Sequence, residues 1–140
     1  MANNVELSKY MVLIEQYKEQ MNQLEIQYQY LQAAVNDYTR SKITLEQLEK
    51  EENGSNILLP IGGSTYVDAN VKDTNKVLYD IGAGVVTEKS VDDALKKIDE
   101  RIKDLQKTQE KLMKTINQIQ NEAAEVSAKA QKLLYKQQKG

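Results

Sequence analysis

Leu7–Leu45 reads LSKYMVLIEQYKEQMNQLEIQYQYLQAAVNDYTRSKITL, and the spacing of its apolar residues decides the fold. Leu7, Tyr10, Ile14, Tyr17, Met21, Leu24, Tyr28, Leu31, Val35, Tyr38, Lys42 and Leu45 follow one another in steps that alternate between three and four, and all but Lys42 are apolar or aromatic. A second run does the same near the other end: Val91, Leu95, Ile98, Ile102, Leu105, Gln109, Leu112, Ile116, Ile119, Ala123, Val126, Ala130 and Leu133, with Gln109 as its polar break. Steps of three and four sustained this long draw a narrow seam along a helix, and only a partner helix covers such a seam. Each run is about 45 residues, so each helix spans roughly 68 Å at 1.5 Å per residue.

Between the runs the period changes. Helix 1 is expected over about Val5–Glu52, stopped by Asn53-Gly54-Ser55-Asn56, which reads as a flexible turn. Asn53-Gly54-Ser55 also fits a glycosylation sequon, which without export is a chance match. Ile57–Ile61 is a short apolar strand, with Pro60 suited to an edge. Gly62-Gly63-Ser64 is a turn, Thr65–Val71 a β-branched strand, Asp73-Thr74-Asn75 a second turn, and Val77–Ile81 and Val85–Glu88 flank Gly82-Ala83-Gly84. Two hairpins are expected, over 57–71 and 77–88, with pairing across Asp73–Asn75 also open. Helix 2 is expected from Ser90, whose hydroxyl can cap it, with Asp92 and Asp93 favourable at the positive end of its dipole. Three parts follow: a helix over 1–52, a β module over 53–89 and a helix over 90–140. The fold class is mainly α with a small β part. A long antiparallel two-helix coiled coil is joined by two β-hairpins, whose open edges and bare face predict an oligomerisation module.

The composition narrows function. The 140 residues include no His, Cys, Trp or Phe and one Pro, and the net charge is −2, from 19 basic and 21 acidic residues. Lacking His and Cys, the chain has neither the commonest general base nor thiol chemistry, and a two-helix seam builds no thick core around a pocket. An enzyme is therefore not expected, nor a cofactor or metal. The charge balance gives no electrostatic case for nucleic acid. No apolar run is long enough for a membrane span, and the N-terminus lacks the pattern of a signal peptide, so a cytoplasmic protein is expected. Gly82-Ala83-Gly84 carries half of a dinucleotide fingerprint, but Thr87 stands where the third Gly or Ala belongs and β-branched residues follow, so it reads as a bulge or tight bend. Tyr10, Tyr17, Tyr28 and Tyr38 sit at seam spacing and are assigned to packing. Lys42 is expected to mark where the helices begin to splay.

The free ends of the helices are broader in apolar character than a seam requires. Val5, Leu7, Tyr10, Met11, Leu13 and Ile14, with Leu133, Leu134 and Tyr135, come together in an antiparallel hairpin. They form a candidate adaptable patch for other proteins.

The segments LLPIGGSTYV (58–67) and KVLYDIGAGVV (76–86), followed by Ser90-Val91-Asp92-Asp93-Ala94-Leu95, resemble the α-class subunit of prefoldin, archaeal type. That family has a segment of the form LVPVGxGSF, then VxVxxGAGV, then a helix opening on an acidic, Ala-containing turn. The departure is Gly63-Ser64-Thr65-Tyr66, where the family has a Gly-Ser-aromatic run. The layout matches along the whole chain. The resemblance implies a hetero-hexamer of two α-class with four β-class prefoldin subunits, in which the hairpins build a β-barrel carrying the coiled coils. It implies an ATP-independent co-chaperone of the cytosol, a holdase whose tips capture unfolded proteins and deliver them to a group II chaperonin. The tip residues above are then the expected binding site for non-native client proteins. Leu58, Leu59, Ile61, Tyr66, Val67, Val77, Leu78, Tyr79, Ile81, Gly82, Gly84, Val85 and Val86 are the expected subunit-assembly residues. The rival from another class is a structural coiled-coil scaffold without affinity for unfolded chains.

Overall fold

The computed structural model describes residues 2–139, so Met1 and Gly140, the outer bounds of the expected helical parts, lie outside the described residues. The order is α1 (Ala2–Glu49), β1 (Asn56–Gly62), β2 (Thr65–Asn70), β3 (Lys76–Gly82), β4 (Val85–Ser90) and α2 (Val91–Lys139). The expected class, two long helices joined by two antiparallel hairpins, is the one observed. The chain forms two compact units, one made of the residues up to Ala34 with those from Leu105 onward, the other of Val35–Asp104.

Every position of the two seams is buried or half-buried, Lys42 and Gln109 included. In the first unit Leu105, Ile116 and Ala130 are buried. Two cross-helix hydrogen bonds fix its register: Gln137 Nε2 donates to Asn4 Oδ1 at 2.7 Å, and Gln109 Nε2 to Gln32 Oε1 at 3.0 Å. The step from Asn4 to Gln32 equals the step back from Gln137 to Gln109, as an antiparallel pair requires. The polar break in the second seam is thus satisfied by an amide on the facing helix, which removes the penalty for burying it.

In the second unit the core is Val35, Val91, Ala94 and Ile98. The helices do not splay at Lys42. Its ammonium reaches Asp99 Oδ1 at 2.8 Å, and Leu45 and Leu48 beyond it are still half-buried. A lysine at a seam margin can lay its stem along the apolar stripe and keep its charge wet, which accounts for the difference. α1 ends at Glu49, short of Glu52. Lys50 and Glu51 donate their N–H groups three residues back, to Gln47 and Leu48, and this tightening closes the helix. Ser90 Oγ accepts from the Asp93 N–H at 3.1 Å and caps α2, and the Val91 N–H donates to the Asn75 carbonyl at 2.9 Å.

The two hairpins are built alike, offset by twenty residues. Asn56 pairs with Asn70 and Lys76 with Ser90; the ladders run to Pro60–Tyr66 and Asp80–Val86, and each then skips one residue, Ile61 or Ile81, before closing at Gly62–Thr65 or Gly82–Val85. Gly63-Ser64 (φ 55° and 57°) and Ala83-Gly84 (φ 52° and 74°) are the turns. Positive φ at both central residues is the primed turn whose twist matches that of paired strands. The bulge before each turn rests on a glycine, Gly62 at φ 101° and Gly82 at φ 123°, where a Cβ would be strained. Gly82-Ala83-Gly84 is therefore a bulge and turn, as its sequence suggested. The hairpins form separate two-stranded sheets, so β2 and β3 do not pair across Asp73–Asn75.

That connection is instead organised by side chains. Asn53 Oδ1 accepts from the Thr74 N–H at 2.8 Å and from Thr74 Oγ1 at 3.1 Å, and Thr74 is only 3% exposed. Asp73 Oδ1 accepts from the Asn75 N–H, while the Gly54 N–H donates to the Val71 carbonyl and the Val71 N–H donates to the Ser55 carbonyl. The Asn53–Ser55 stretch is thus a clamp, where the sequence suggested a flexible turn.

Candidate functional site: two uncovered apolar surfaces

A two-stranded hairpin has no interior, so its side chains are covered only by something else. β3 rests one face near α1. Val77 and Tyr79 are half-buried and, with Leu78, border a cavity of about 350 Å³ whose other walls include Arg40, Thr44, Leu45 and Ala94. The remaining expected assembly residues stand in water: Leu58, Leu59, Ile61, Tyr66, Val67, Gly82, Gly84, Val85 and Val86, with Ile81, are exposed, and Leu78 reaches 76%. Both bulge residues, Ile61 and Ile81, are among them. Large apolar side chains are thus left uncovered in a module with almost no core of its own.

Beside this module, Glu49 and Asp92 face each other across the helices. Their side chains share a hydrogen bond, and this bond, with burial and the nearby charges of Asp92 and Glu46, pushes the Glu49 carboxyl above its usual range. Asp92 lies in the first turn of α2, whose dipole favours negative charge.

The second surface lies in the first unit, where α1 begins and α2 ends. The structure divides the nine expected residues by helix face. Leu7, Tyr10, Ile14 and Leu133 turn into the seam and are half-buried, whereas Val5, Met11, Leu13, Leu134 and Tyr135 are exposed. Tyr10 donates its phenol to Glu6 Oε1 at 3.1 Å, and that carboxylate holds the phenol above the usual tyrosine range. Sequence reading missed Val12, which is exposed and lies seven residues after Val5, on the same outer line of α1. Val5, Val12 and Leu13, with Asn4, Ser8, Lys9 and Gln16, line a groove of about 710 Å³ on the outward side of α1. The heptad recurrence of Val5 and Val12 was the available signal; it sits out of phase with the seam. Ile26 and Tyr30 extend exposed apolar character further along α1, while on α2 the exposed large apolar residues among those described are Met113, Leu134 and Tyr135.

Among the described residues no cluster of three or more acids could hold a metal ion, and no helix is long and apolar enough to cross a membrane. The surfaces offer contact area rather than converging polar groups. A family model described as prefoldin subunit matches residues 17–136. The chain belongs to the prefoldin family.

Relatives named prefoldin subunit alpha bear out the α-class resemblance. The prefoldin from Thermococcus onnurineus is 37% identical over 92 residues, covering 55% of this chain and 63% of the relative. That from Methanococcoides burtonii is 31% identical over 83 residues, covering 59% and 58%. That from Archaeoglobus fulgidus is 29% identical over 96 residues, covering 69% and 70%. The chain thus spans about three fifths of the length of the first two. Among solved structures, a filamentous prefoldin from Methanocaldococcus jannaschii, determined by cryo-EM, superposes with a TM-score of 0.73 at 25% identity, covering 83% of this chain and 96% of that one.

Proposed function

We propose that this chain is an α-class subunit of an ATP-independent holdase, which captures unfolded proteins at the ends of its helices and delivers them to a group II chaperonin. The observation that carries the reading is the exposure of Val5, Met11, Val12, Leu13, Leu134 and Tyr135 on a helix pair whose seam is already filled. A scaffold with a fixed structural role needs no such excess. Individually weak contacts from several subunits on one client add strongly through effective concentration, and weak contacts release without hydrolysis.

Assembly is assigned to the hairpins. The uncovered residues of β1–β4 support burial against other subunits, four β-class and a second α-class, in a shared β-barrel. One observation favours a second assembly, because the structural neighbour is filamentous. Sedimentation of the chain alone and with a β-class partner separates the two. Ile81→Asp and Val85→Asp should abolish either assembly while leaving the helical signal in place.

The deciding experiment is light scattering from a chemically unfolded protein diluted into the assembly, against an assembly lacking residues 1–14 and 128–140. Suppression by the full chain alone supports capture at the helix ends. Equal suppression by both moves the site elsewhere, and no suppression by either favours the scaffold.

A further inference from the structure

The end of the first unit that bears the apolar groove carries more lysines than acids. Over the span of the groove, residues 4–16 and the facing 125–137, Lys9, Lys129, Lys132 and Lys136 stand against Glu6, Glu15 and Glu125. All four lysines are exposed, and none is ion-paired with a described acid. The ordinary reason for cations here is the negative end of the α2 dipole, but that influence fades within the last turn. Lys129 and Lys132 lie outside that turn.

Their placement follows from the register. The bond between Asn4 and Gln137 sets Lys136 level with Val5, Lys132 with Lys9 and Lys129 with Val12. Leu13, at one margin of the groove, immediately precedes the seam residue Ile14; Lys129 precedes the seam residue Ala130, and Lys136 likewise precedes Gln137, which continues that seam spacing. In an antiparallel pair these positions share one flank. The groove therefore opens beside a row of lysines, none of them ion-paired with a described acid.

We infer that the groove takes a particular class of client: apolar segments of non-native chains flanked by acidic side chains. The inference rests on the holdase reading above. Apolar contact with Val5, Val12 and Leu13 supplies attachment, and the lysines discriminate, since complementary charge steers encounter and penalises like-charged partners. An acid-flanked segment also leaves its carboxylates in water beside the lysines, so no charge is buried.

The test uses the full-length chain in its assembly with a β-class partner and two labelled peptides. They share one apolar core and carry Glu or Lys on both sides. At low salt the Glu-flanked peptide should bind about tenfold tighter, the sum of a few exposed ion pairs. The preference should fall to near parity in 1 M salt, where the screening length is about 3 Å. It should also vanish in K129Q/K132Q/K136Q and reverse in K129E/K132E/K136E; the positions are exposed, so both variants should keep the helical signal of the parent. Equal binding of the two peptides, or a preference unmoved by the lysine variants, overturns the client class. If both peptides bind and Val12→Ser with Leu13→Ser weakens both, the helix-end site stands even then. If neither peptide binds, or the serine variants bind as the parent does, the holdase site itself is wrong.

Discussion

Replacing Asn53 by Ala should open the junction between the hairpins while leaving the helices intact. Asn53 Oδ1 is the acceptor for two donors of Thr74, its N–H at 2.8 Å and its hydroxyl at 3.1 Å. Thr74 is 3% exposed, so water does not replace the lost acceptor without local opening. The hydroxyl can rotate toward another acceptor, but the N–H is fixed by the backbone. An unsatisfied buried donor costs about 1–3 kcal/mol, so a loss of about 2 kcal/mol is expected. At about 1.4 kcal/mol per factor of ten, the Thr74 amide should exchange with solvent about 30-fold faster. Amide hydrogen exchange on the assembled protein measures this residue by residue. Asn53→Asp keeps an acceptor at the same reach and should retain most of the protection, with Ser90 and α2 amides unchanged in both variants. Unaltered protection of Thr74 in the Ala variant would refute the reasoning. So would equal losses in Ala and Asp, because the acceptor would then not be what holds the junction.

Ile116 is buried in the seam, so Ile116→Ala should lower stability by about 2–3 kcal/mol, at the lower part of the range for such truncations because a two-helix seam can partly collapse; Ile26→Ala, on the exposed outer side of α1, should change it by less than about 0.5 kcal/mol. Denaturant unfolding followed by helical circular dichroism compares them, and equal effects would contradict the seam. Gly82→Ala, at φ 123°, should weaken the second hairpin more than Gly84→Ala at φ 74°, about 1–3 against about 1 kcal/mol, read from the exchange of β3 and β4 amides. The raised Glu49 carboxyl makes a signed prediction about pH. The folded state holds this proton more tightly than the unfolded chain, so its contribution to stability is present below the unfolded glutamate pKa and is lost as pH rises through the folded one. Glu49→Gln should therefore raise the thermal midpoint at pH 7.5 relative to the parent and flatten its dependence between pH 4 and 7.5; a lower midpoint for the variant at pH 7.5 would show that the charged pair is not destabilising.

The sequence by itself determined the seam, and the physical reason is that helical periodicity is local. Whether Tyr17 or Ile116 faces a partner helix depends on residues three and four away, so all positions of both runs, polar breaks included, are covered as their spacing requires. The hairpin turns were legible for the same reason, since glycine at a bulge leaves its mark within a few residues. Three things were decided only by tertiary structure. Asn53 and Thr74 are 21 residues apart, and nothing in the local pattern of either announces that one side-chain oxygen satisfies both donors of the other. The register that answers Gln109 with Gln32, and that sets Glu49 against Asp92, needs both helices placed together. That Val5, Val12 and Leu13, outside the seam that already holds Leu7, Tyr10 and Ile14, stay exposed depends on what else packs over that face, because hydrophobicity alone does not distinguish a side chain the fold covers from one it leaves in water.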